Sequence, residues 1–81
     1  MKKNSFQKLL EFLKKLEDAK ISFSLEFASD ETIGVFISVP GERWEVDFFA
    51  NGDVWVERFT NPDKEIKKEE ELEELFRLYS D

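Results

Sequence analysis

Val39-Pro40-Gly41-Glu42-Arg43-Trp44-Glu45-Val46-Asp47-Phe48-Phe49-Ala50-Asn51-Gly52-Asp53-Val54-Trp55-Val56 reads as two strand-turn-strand units sharing a middle strand. Pro40 pre-sets φ at the first central position of a tight turn and Gly41 accepts positive φ at the second. A two-residue loop there pairs Ile37 with Trp44, Val35 with Val46 and Ile33 with Phe48, so six apolar side chains share one face. The second turn has two solutions. Asn51-Gly52 as a two-residue loop turns Trp55 and Glu57 toward the core. Ala50-Asn51-Gly52 as a three-residue loop with Gly52 left-handed pairs Phe48 with Val54 and Val46 with Val56. The second solution buries two valines and leaves the glutamate in water, and the pattern favours it.

Outward from this block, periodicity supplies the remaining elements. Asn4 or Ser5 can cap a helix, and Gln7 stands at capping-box spacing from Asn4. Phe6, Leu9, Leu10, Leu13 and Leu16 follow helical spacing, with Phe12 on the edge of the stripe and lysines opposite. Ile21, Phe23, Leu25 and Phe27 then alternate with polar residues as a half-buried strand. After the turn-like Ser29-Asp30-Glu31, Ile33, Val35, Ile37 and Val39 form the next. Trp44, Phe48, Phe23 and Phe27 are core by this pattern. Asn61-Pro62-Asp63 should stop the fourth strand, and the acidic run Glu65 to Glu74 should open a last helix, where carboxylates suit the N-terminal dipole. Leu72, Leu75, Phe76 and Tyr79 form its apolar stripe, with Ile66 tucked under its start. The expected fold is α+β: a four-stranded antiparallel meander with N- and C-terminal helices on one face, an α-β-β-β-β-α two-layer sandwich over residues 1–81 as a single domain.

Composition narrows the class of function. The 81 residues suffice for one small core burying roughly 60–65% of the unfolded surface. Nine Phe and two Trp do much of the filling. The chain has no Cys and no His, which removes disulfides, thiolate and imidazole ligands, and the Ser-His-Asp and Cys-His nucleophile arrangements. No cofactor or metal is expected. Charges through the first twenty residues exclude a signal-peptide core or membrane span, so the chain reads as untargeted and cytoplasmic. Twelve Lys and Arg stand against 19 Asp and Glu, a net charge of −7. Nucleic acid and anionic membranes should be repelled, and a charged partner should be a basic protein.

The chosen registers leave one sheet face open to water, which antiparallel sheets tolerate. It carries Phe36, Glu45, Asp47, Phe49, Trp55 and Glu57, with Phe59 and Arg43 toward one end. Aromatics rimmed by carboxylates mark protein contacts, and Trp is a common anchor. The plainer alternative is that Trp55 lies across Gly34, covering backbone where a side chain is missing. Glu45, Asp47 and Glu57 could cluster, yet a flat sheet gives them no water-excluding pocket for acid–base work, so no enzyme is expected. Asn51-Gly52-Asp53 lacks the ligand spacing of a calcium loop. Glu69, Glu70, Glu71, Glu73 and Glu74 could imitate a polyanion toward a basic cleft, or simply solvate a helix. Arg43 reads as a strand-end charge, and Arg58 as a side chain snorkelling from the inner face at the sheet edge.

The central block resembles that of a family of short uncharacterised bacterial proteins, whose pattern runs Val-Pro-Gly-x-Arg-Trp-Glu-x-x-Phe-Phe-x-Asp-Gly before an apolar-acidic alternation and a C-terminal helix ending in Leu-Phe. Val39, Pro40, Gly41, Arg43, Trp44, Glu45, Phe48, Phe49 and Gly52 match it. Asn51 stands where the pattern has Asp, and Trp55 where members tend to carry an acid. The latter counts against the aromatic face being common to the whole group. Small acidic α+β proteins of this kind are also similar to immunity proteins, which bind and block a cognate toxin. That likeness implies an inhibitor holding a basic partner. The competing expectations are a structural or engineered domain with no biochemical activity, and a homodimer formed through the same face.

Overall fold

The computed structural model describes residues 4–60 and 64–79. Helix α1 (Ser5–Asp18) leads into β1 (Phe23–Ser29), β2 (Thr32–Val39), β3 (Glu42–Phe49), β4 (Val54–Thr60) and β5 (Lys64–Lys68), followed by helix α2 (Glu71–Tyr79). All strands pair antiparallel in sequence order, so β3 is central and β1 and β5 are the edges. The α+β meander framed by two helices is as expected.

One more strand joins it. The segment from Lys64 to Lys68, expected in the acidic lead of the last helix, instead pairs with β4, with Ile66 opposite Glu57. The physical reason is the row of backbone donors and acceptors that β4 would otherwise leave unpaired at the edge. The helix begins only at Glu71, with Glu71, Glu73 and Glu74 in its first turn. The Asn61-Pro62-Asp63 stop lies outside the described residues.

Both hairpins have the expected registers. Ile37 faces Trp44, Val35 faces Val46 and Ile33 faces Phe48. Phe48 faces Val54 and Val46 faces Val56, the three-residue solution. Gly41 and Gly52 carry φ of 84° and 99°, the left-handed backbone that side chains disfavour. In the second turn Asn51 Oδ1 accepts the Asp53 amide at 2.9 Å, and Phe49 N donates to Asp53 O at 2.9 Å.

At the start of α1, Asn4 Oδ1 accepts the Gln7 amide at 2.8 Å and Gln7 Oε1 accepts the Asn4 amide at 3.1 Å, completing the capping box. The helix buries Phe12 and Leu16, with Leu9 and Leu13 partly covered. Phe12 is therefore central to the stripe rather than on its edge. It meets the Phe48 and Phe76 rings at 5.5 and 5.8 Å. With Ile21, Val35, Ile37, Trp44, Val46, Val54, Val56 and Leu75 these residues form one core under both helices.

Phe27 does not join it. Phe27 is 72% exposed and Leu25 51%, although both lie on the inward-facing side of β1, opposite Ile33 and Val35. Strand alternation sets which face a side chain takes, but a helix must lie above it to exclude water. The core of α1 meets β3, and Glu71 of α2 reaches Arg58 on β4, while of β1 only Phe23 is packed against the core.

Candidate functional site

On the open face the strand registers order the side chains into rows. One row crosses the sheet as Glu26, Gly34, Asp47, Trp55 and Lys68, and the next as Ser24, Phe36, Glu45 and Glu57. Glu45 and Glu57 are thus directly opposite, and Asp47 is directly opposite Trp55. Like charges at opposed positions destabilise a sheet. Burial, and then the Glu57 charge, pushes the Asp47 carboxyl above the usual carboxylate range. Trp55 is 49% exposed.

The structure brings four of the six predicted residues, Glu45, Asp47, Trp55 and Glu57, into one block. Phe36, half-buried, flanks it across from Glu45 and leans over Gly34, where an added Cβ would meet its ring at 3.4 Å and Asp47 Oδ1 at 3.3 Å. Phe36 and Asp47 are thus the side chains nearest the place of the missing Cβ. Phe49 stands at the end of the face, opposite Thr32. Arg43 closes the other end, its guanidinium 4.5 Å from the Phe59 ring centre and its Nε 4.0 Å from Glu45. The sequence pattern does not place Lys68 here, because its segment reads as the lead of the last helix. It adds an exposed cation across from Trp55.

A second ionic group, on the helix side, was only partly anticipated. Arg58 Nε and Nη2 clasp Glu42 at 2.6 and 3.1 Å, and Nη1 reaches Glu71 at 3.0 Å. The guanidinium lies 4.7 Å from the Trp44 ring, and Glu42 also accepts the Tyr79 hydroxyl. The Arg58 bonds hold the Glu42 carboxyl below its usual range, while the bond to Glu42 raises the Tyr79 phenol. Arg58 does reach out from the inner face. The sequence clue to its partner was the diagonal relation of Glu42 and Arg58 across the Trp44–Arg58 pair. This group fastens α2 to the central hairpin.

A concavity of about 430 Å3 lies between α1 and α2, lined by Phe12, Phe48 and Phe76 together with Lys8, Lys15 and Glu69. Lys8 bridges to Glu69 at 3.4 Å across it. Among the described residues no cluster of three or more Asp or Glu is arranged to hold a metal ion, and no helix is long and apolar enough to cross a membrane. No protein family, curated protein or solved structure matches this chain.

Proposed function

We propose that this domain is a non-enzymatic protein-binding module, an immunity-like inhibitor in the bacterial cytoplasm, whose open sheet face holds a basic protein. The block of Glu45, Asp47, Trp55 and Glu57 carries the reading. Its half-exposed Trp set directly opposite Asp47, in a row of carboxylates, suits an arriving cation. An arginine from the partner stacks on the indole while its guanidinium meets Asp47 and Glu57, offsetting the burial and, second to it, the Glu57 charge that raise the Asp47 pKa. The net charge of −7 would steer such a partner from a distance.

The test pairs an affinity pull-down from bacterial lysate with Trp55→Ala and Asp47→Asn as baits. The expected result is a basic protein retained by the parent domain and lost from both variants, with both variants folded by circular dichroism. Equal capture by all three baits would remove the open face as the site, and capture of nothing would favour a structural domain without a partner.

A further inference from the structure

We propose that two copies of this chain associate by antiparallel pairing of their β1 strands. The two edges of the sheet differ in kind. In β5, four of the five residues are charged, the usual guard against strand addition. In the seven residues of β1, Glu26 is the single charge, and neither Lys nor Pro interrupts the edge. That edge borders an uncovered apolar shelf. Leu25 and Phe27 rise from β1 on the helix side, and Phe6 and Leu10 project from α1, 65% and 49% exposed. Phe6, Leu9, Phe27 and Ile33 line one hollow of about 230 Å3 between helix and sheet.

A second copy suits this edge better than a helix or an acidic or basic surface. A helix on the shelf would leave the outer backbone groups of β1 without strand partners, whereas another β1 supplies both the ladder and apolar side chains. The pairing of β1 with β2 is regular from Phe23 to Phe27 and shifts before Ser29, so the regular segment has Leu25 at its midpoint. A two-fold axis there sets Leu25 against Leu25 of the second copy, Phe23 against Phe27, and Ser24 against Glu26. Centring one residue later would oppose two Glu26 carboxylates. Copies that each carry −7 must meet where charge is sparse, and β1 is such a place. A strip about 23 Å long lies at the low end of specific interfaces, so dissociation in the micromolar range or weaker is expected.

Sedimentation equilibrium from about 10 µM to about 1 mM protein at physiological salt tests this. A reversible monomer–dimer equilibrium is expected. Leu25→Lys, which opposes two ammonium groups, should abolish it. Ser24→Lys, which sets an ammonium opposite Glu26 of the second copy twice over, should tighten it roughly fivefold. Ser38→Lys makes the same charge change away from β1 and should leave it within about twofold. The Ser24→Lys gain cannot arise from unfolding, and circular dichroism checks that Leu25→Lys still folds. A monomer throughout, a dimer indifferent to both β1 variants, or equal tightening by Ser38→Lys would overturn the proposal. So would a dimer lost through Trp55→Ala instead, which would place the contact on the open face.

Discussion

Lys20 holds a φ of 61° immediately after α1, a left-handed conformation that costs a side-chain-bearing residue about 1 kcal/mol. Its amide donates to Glu17 O at 3.1 Å and the Ile21 amide to Leu16 O at 2.9 Å, closing the helix with the paired bonds that glycine usually serves. Lys20→Gly should therefore raise stability by about 0.5–1 kcal/mol, read as a higher urea midpoint at unchanged slope. Two carboxylates respond to acid in opposite directions. Glu42, with its pKa lowered by Arg58, contributes stability above the ordinary carboxylate range and loses it as pH falls through the depressed folded value. Asp47, with its pKa raised, contributes fully below the ordinary range and loses that contribution as pH rises through the elevated folded value. At pH 7 Asp47 is thus a net cost. Asp47→Asn should raise the melting temperature at pH 7 by an increment equivalent to a few tenths of a kcal/mol, with the gain gone near pH 3. A gain that persisted in acid would mean that its charge is not the cause.

Among the elements, α2 depends most on a few contacts. Leu75 is its buried anchor, and the Arg58–Glu71 and Tyr79–Glu42 bonds tie it to β3 and β4. Leu75→Ala should cost about 2–4 kcal/mol, measured by urea denaturation. A loss below about 1 kcal/mol would indicate that α2 adds little to the core. The elements also differ in how plainly they were written. Asn4 with Gln7 announced the start of α1 because a capping box is local chemistry. Pro40-Gly41 and Ala50-Asn51-Gly52 announced both hairpins because turn type and alternation constrain each other. The run from Lys64 to Lys68 did not announce β5. Its lysines and glutamates suit a helix lead as well as an edge strand, and only the unpaired side of β4 distinguishes the two.

For the whole molecule, excess negative charge opposes compaction. Raising NaCl from about 10 mM to about 0.3 M should increase the melting temperature by a few degrees, because diffuse repulsion is screened while the partly buried Arg58 pairs are screened less. A decrease would mean that exposed pairs such as Lys8–Glu69 and Arg77–Glu74 outweigh the repulsion. Four of the six residues named for the open face came together because period-two alternation and two turn lengths place Glu45, Asp47, Trp55 and Glu57 without knowledge of anything distant. Those local rules determined the first four strands of the meander, the faces of its central strands and the N-cap of its first helix. Tertiary structure alone decided the rest: which half of the inner face the helices cover, that Phe27, Leu25, Phe6 and Leu10 stay in water, and that Lys68 stands across from Trp55. A hydrophobic pattern states which side a residue takes, but whether water is excluded depends on where another element docks, and that is a balance over the whole chain.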